Sequence, residues 1–193
     1  HALVWRLSRS ASVTELHAAP GSAAIARLAT CHEVAADDVS GQLDLAQSLE
    51  AELVVIGPEA PLVAGLADRL RAVGIAAVGP DASAAELEGS KAFAKEIMNA
   101  AGVPTAGHQT FTDAASALAY LEQGEGSIVI KADGLAAGKG VTVAADRHEA
   151  AAAVHGHGRV KADNDGLERL ALFDEAVVAL GAHRGRHAPR QLL

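Results

Sequence analysis

Apolar residues follow two different spacings along this chain, and each change of spacing marks an element. Leu3, Val4 and Leu7 share one face of a predicted helix over His1–Ser10. A short strand follows over Thr14–Ala18 and ends at the Pro20-Gly21 turn. Leu43, Leu45, Ala46 and Leu49 give helical spacing across Gly41–Glu50. The unbroken run Leu53-Val54-Val55-Ile56, stopped by Gly57-Pro58, reads as a parallel strand covered on both faces. Pro61 is placed to begin the next helix, with Leu62, Leu66 and Leu70 on its apolar side and Gly74 closing it. Ile75–Val78 is a further strand, ended by Gly79-Pro80.

Ala84–Ala101 has a long helical pattern that stops at Gly102, before Val103-Pro104. Gly89 and Ser90 interrupt it, so a break or cap is expected just before Lys91. The order then becomes helix Thr112–Glu122, strand Ser127–Ile130, loop Lys131–Gly140, strand Val141–Ala144 and helix Asp146–Val154. Gly156–Gly166 shows no period, and Leu167–Leu180 reads as an amphipathic helix. Gly181–Leu193 has no core-building pattern. There is no internal repeat.

Alternating strands and helices up to residue 80 predict an α/β fold with a doubly wound parallel sheet. Such a sheet normally opens on a strand, whereas here the first element is a helix and the chain begins at His1. The first strand and its turn are therefore expected to lie upstream, so the sheet is truncated. A domain boundary is expected near residues 101–106.

Composition supports this architecture. Half of the 193 residues are hydrophobic but only 3% are aromatic, so the core must be built from Ala, Val, Leu and Ile. Small aliphatic side chains suit helices lying close on a sheet. The net charge of −8, from 16 Lys and Arg against 24 Asp and Glu, argues against a nucleic-acid partner. A few well-placed cations and amides can still bind phosphate locally. The single cysteine, Cys31, leaves no internal disulfide and fits a reducing cytoplasm. No apolar run reaches the ~18 residues of a membrane span, and Arg6 and Arg9 interrupt the early apolar stretch.

Three segments carry candidate chemistry. In KADGLAAGKGV, Lys131 ends an apolar strand and opens a loop in which Gly134, Gly138 and Gly140 let backbone amides approach an anion. Lys131 and Lys139 add point charges, while Asp133 is expected to face a loop amide or a cation. The loop is not a Walker A sequence, because Gly140 stands where Ser or Thr would bind magnesium. In the second segment, Gly57, Pro58, Glu59 and Pro61 lie at the carboxyl end of a buried strand, where open α/β sheets hold ligands. The alternative there is an ordinary strand–turn–helix connection with a solvent-facing Glu59. In the third, Lys91 projects from a helix start, whereas Lys95 is as readily a surface lysine. Asp163, Asn164 and Asp165 read as a polar turn, and His155 and His157 as a surface loop without a metal partner set.

In order, HALVW, APG, VVIGPEAPLVAGLAD, VGP, LEGSKAFAK, GVPTA and IVIKADGLAAGKGV resemble the glycinamide ribonucleotide synthetases, members of the ATP-grasp superfamily. The resemblance covers residues 1 to about 155. It implies ATP-dependent ligation of glycine to 5-phosphoribosylamine in purine biosynthesis, through a glycyl phosphate intermediate, with Mg2+ or Mn2+ assisting. By position, Lys91, Lys131, Gly134, Gly138, Lys139 and Gly140 would bind ATP, and Gly57, Pro58, Glu59 and Pro61 would line the phosphoribosylamine side. The resemblance assigns no catalytic side chain and no metal ligand in this chain, since the family's later Mg2+-binding strand is not recognised here.

The implied layout is a substrate-side α/β domain over 1–101 lacking its first strand, then a partial ATP-grasp domain with a glycine flap over 102–155. Residues 156–193 read as a divergent tail, out of frame or disordered, with a genuine divergent end as the competing reading. The other functional readings are a non-catalytic nucleotide-binding module derived from the ligase, and a different ATP-grasp carboxylate–amine ligase.

Overall fold

The computed structural model describes residues 1–123, 128–135, 140–162 and 170–174, with residues 157–162 and 170–174 described by backbone alone. The chain divides into two units, His1–Ala94 and Lys95–Leu193.

Unit 1 begins with helix α1 (Ala2–Leu7), followed by strands β1 (His17–Ala18) and β2 (Thr30–Cys31), which pair in parallel. Helix α2 (Val39–Ser48) is capped by Asp38, whose carboxylate accepts from the Gly41 amide at 2.9 Å. Strands β3 (Leu53–Val55) and β4 (Ala76–Val78) form a second parallel pair, as the strand–helix–strand alternation requires. Between them run α3 (Glu59–Val63) and α4 (Leu66–Ala72), followed after β4 by α5 (Ala82–Gly89).

Three expectations are corrected here. The single helix expected from Pro61 is two helices, because Gly65 takes a left-handed φ of 82° and starts α4 afresh. Pro61 is the third residue of α3 rather than its first, still within the turn whose amides lack intrahelical acceptors. Among the described residues, β3 packs through one face. Val54 and Ile56 pack with Ala77 against Leu43, Ala46, Leu66, Leu70 and Ile75, while Leu53 and Val78 point away and are about half exposed. A two-stranded sheet with helices on one side gives each strand an inner and an outer row.

Helix α6 (Lys91–Ala100) starts directly after α5, and Ser90 takes an extended backbone between them. The Ser90 hydroxyl accepts from the Phe93 amide at 3.1 Å, so the Gly89-Ser90 interruption is a real break with a cap.

Unit 2 is built on an antiparallel sheet of order β5-β8-β6-β7, comprising β5 (His108–Phe111), β6 (Ile128–Ala132), β7 (Val141–Ala144) and β8 (Leu170–Asp174). Helices α7 (Ala114–Glu122) and α8 (Arg147–Ala162) supply Ala117, Leu121, Ala150 and Val154 to a core with Ile128, Ile130 and Ala144. Those seven residues are almost completely withdrawn from solvent.

Residues 170–174 lie within the stretch read as a helix, but they form a central strand hydrogen-bonded to β5 on one side and β6 on the other. The run Leu-Ala-Leu-Phe carries no period that separates strand from helix, and its position in the sheet decides the matter. The remainder of Leu167–Leu180 lies outside the described residues. His155 and His157 sit on α8 rather than in a loop, because the alanine-rich stretch before them propagates the helix to Ala162.

Candidate functional site

In unit 2 the site is built around strand β6. Side chains alternate along a strand, so Ile128 and Ile130 enter the core under α7 and α8 while Val129 and Lys131 occupy the opposite face. Lys131 pairs in register with Val141, and Val129 with Val143. Val141 and Val143 are exposed, the latter at 64%. The face of the β6–β7 hairpin away from the helices thus carries apolar surface with an ammonium at its loop end.

The loop end is tightly drawn. The Ala132 amide donates to the Gly140 carbonyl at 2.7 Å, closing the hairpin across the glycine segment. Asp133 is buried at 8% exposure, the one charged residue buried among the described residues. Gly134 follows with φ 94°, a left-handed conformation that glycine adopts without the Cβ penalty. Gly140, back at the start of β7, is buried. Gly138 and Lys139 lie outside the described residues.

A second cation joins this region that spacing alone left ambiguous. The Lys95 ammonium, on α6, donates to the Thr105 hydroxyl and, at 3.0 Å, to the Ala106 carbonyl. It thereby ties α6 to the segment that leads into β5. Partial burial, then the charge of Lys131, hold the Lys95 pKa below its ordinary value. His108, at the start of β5, is pushed down by burial and by Lys95, with Glu96 opposing. Burial and Lys95 thus favour its uncharged imidazole. His108 is not singled out in the sequence, and Lys95 reads there as equally a surface lysine. The available signal was a second lysine one helical turn after Lys91, followed by a Thr in the outgoing segment.

In unit 1, Gly57, Pro58 and Glu59 are exposed at the carboxyl end of β3, whose continuation is held by the Ile56 amide donating to the Val78 carbonyl at 3.1 Å. Pro58 caps α3 in extended conformation and Glu59 is the first helical residue, among the amides that open the helix. Pro61 is turned into the core and buried. Nothing crowds Gly57, where an added Cβ would meet open space. An open groove of about 470 Å3 lies beside this helix, lined by Val63, Ala82, Ser83, Glu86, Gly89 and Ser90. Lys91, half-buried, is the first residue of α6 and immediately follows the groove's Ser90.

Among the described residues no group of three or more His, Cys, Asp or Glu side chains is gathered to hold a metal ion. Among the same residues no helix is long and apolar enough to cross a membrane.

Solved structures place this architecture in a class. The chain resembles phosphoribosylamine–glycine ligase from Thermotoga maritima at 26% identity and a TM-score of 0.66, covering 91% of this chain and 40% of that one. It shares its fold with the biotin carboxylase domain of a Hydrogenobacter thermophilus 2-oxoglutarate carboxylase, solved with MgADP and bicarbonate. That likeness has 21% identity and a TM-score of 0.67, over 88% of this chain and 41% of that domain. The chain is thus an α/β protein with an ATP-grasp-like fold.

Sequence comparison narrows the class to a family. Residues 1–88 match the family model for the phosphoribosylglycinamide synthetase N domain, and residues 89–165 match the ATP-grasp (A) domain of the same family. The chain belongs to the phosphoribosylglycinamide synthetase family. A phosphoribosylamine–glycine ligase from Corynebacterium ammoniagenes is 54% identical over 165 residues, covering 80% of this chain. The chain spans 38% of that relative's length and 36% of its Rhizobium meliloti counterpart.

Proposed function

We propose that this chain carries the phosphoribosylamine-facing part and the front of the nucleotide clamp of an ATP-dependent ligase. The ligase joins glycine to 5-phosphoribosylamine to give glycinamide ribonucleotide in the cytoplasm. The observation that carries this reading is the β6–β7 hairpin. It combines an open apolar face, Lys131 at the mouth of a glycine loop and a second lysine, Lys95, beside it. A nucleotide offers an apolar ring and a polyphosphate, and both match that face.

In this reading Lys131 and Lys91 neutralise phosphate oxygens, and the Gly134–Gly140 segment, with Gly138 and Lys139, covers the triphosphate. ATP phosphorylates the glycine carboxylate, whose oxygen is otherwise a poor leaving group. The phosphoribosylamine nitrogen then attacks the acyl phosphate carbon and inorganic phosphate departs. The protein's contribution is orientation and charge stabilisation. Gly57, Pro58, Glu59 and Pro61 form the phosphoribosylamine end, where Glu59 is the polar contact. Mg2+ or Mn2+ would be supplied with the nucleotide and held by residues outside this chain's described set.

The test is a chimera in which residues 1–155 replace the matching segment of the Corynebacterium relative. Release of ADP that requires both glycine and phosphoribosylamine, and that falls at least tenfold with Lys131→Ala, supports the reading. ADP release that ignores either co-substrate contradicts it.

A further inference from the structure

In unit 1, two imidazoles meet at the β1–β2 strand pair. Strand β1 pairs with β2 so that His17 lies opposite Thr30, and the His32 amide donates to the Ala18 carbonyl at 2.9 Å, extending the pairing by one residue. Alternation then puts His17, Thr30 and His32 on one face and Ala18 and Cys31 on the other. Cys31 is packed under Gly21, where an added Cβ would stand only 2.3 Å from the sulfur. The thiol therefore does not join the imidazoles.

His17 Nδ1 and His32 Nε2 stand 3.0 Å apart, with ring centroids at 5.2 Å and planes tilted by 36°. On the far side of His17, Glu15 Oε2 lies 3.5 Å from Nε2. That carboxylate favours the tautomer with the proton on Nε2, which leaves the Nδ1 lone pair facing His32. A carboxylate on the outer nitrogen is the arrangement that orients metal-ligating histidines. In this tautomer the contact between the rings is a hydrogen bond from His32 Nε2–H to His17 Nδ1.

We propose that His17 and His32 form a two-imidazole chelating site for a divalent transition metal ion of the copper or nickel class, with Glu15 as the orienting group. Metal–imidazole bonds of about 2.0–2.1 Å separate two nitrogens by about 2.9 Å at a right angle and about 3.4 Å at a tetrahedral angle. The observed N–N distance of 3.0 Å is close to the spacing of a right-angled pair, the angle copper(II) and nickel(II) adopt with nitrogen donors. Zinc would require the rings to part by a few tenths of an ångström. On binding, the inter-ring hydrogen bond breaks, the His32 proton moves to Nδ1, and the metal sits off the N–N line where both lone pairs can reach it. Water completes the coordination, since His17 keeps 29% of its side chain exposed.

The test is calorimetric titration of the full chain with Ni2+ alone. One-site binding is expected, weakened at least tenfold in both His17→Asn and His32→Asn. Glu15→Gln keeps both imidazoles, alters a side chain 82% exposed, and is expected to weaken binding about tenfold. Unchanged affinity in either histidine variant, or in Glu15→Gln, overturns the proposal.

Discussion

The Ala132 amide and the Gly140 carbonyl meet at 2.7 Å, and this bond makes the glycine segment between them a closed loop rather than an open connection. It fixes both ends of the loop to paired strands. Gly134 is where the backbone leaves the strand direction, at φ 94°.

Gly134→Ala is therefore expected to cost about 1–2 kcal/mol, the penalty an L side chain meets in left-handed backbone. For a unit of this size each kcal/mol lowers Tm by about 4–8 °C. Thermal unfolding checks it, and an unchanged Tm would show that the turn relaxes without cost.

Lys95 supplies a prediction about protons. Its pKa is held below the ordinary 10.5 by burial and by Lys131, so the folded chain resists protonating it. For a depressed base, the contribution to stability is fully present above the unfolded pKa and is lost as pH falls through the folded one. A phosphate placed beside both ammoniums reverses this and raises the Lys95 pKa. MgATP binding at alkaline pH is expected to take up protons, measured by calorimetry in buffers of different ionisation enthalpy. Lys95→Met should reduce the uptake, and proton release would contradict the arrangement.

The cap of α7 governs part of the acid limb. Asp113 accepts from the Ser116 amide at 2.7 Å and from its hydroxyl at 2.9 Å, and the amide bond first, then the hydroxyl, lowers its pKa below 3.8. A depressed carboxyl stabilises the fold above its unfolded pKa, and this contribution disappears as pH falls through the depressed value. Asp113→Asn retains a capping oxygen but does not titrate. Its stability should fall less steeply below pH 4 than that of the parent in urea titrations at stepped pH, and parallel curves would count against the cap's role.

How much could be read from the residues varied with the kind of signal. The β6 strand, Lys131 at its end and the hairpin into Val141 were legible, because an apolar run stopped by a lysine and three glycines has few structural solutions. The α5–α6 break was legible for a similar reason, since Gly89-Ser90 interrupts a helical pattern and Ser90 can cap the second helix. The central strand at 170–174 was not, because four consecutive apolar residues fit strand and helix alike. Strand β5 was missed because His108-Gln109-Thr110-Phe111 mixes polar and apolar residues without a clean alternation. The latch from Lys95 to Thr105 and Ala106 depends on where a loop folds back on a helix, and spacing along the chain does not encode it.

The proposed nucleotide site at the β6–β7 hairpin is tested most directly by equilibrium binding of MgATP to the full chain and to Lys131→Ala, with Tm measured in parallel. The account predicts saturable binding by the parent and at least tenfold weaker binding by the variant at unchanged Tm, the scale of one charge-assisted hydrogen bond of about 1.5–3 kcal/mol. Equal affinities in the two proteins, or no binding by the parent, would contradict it.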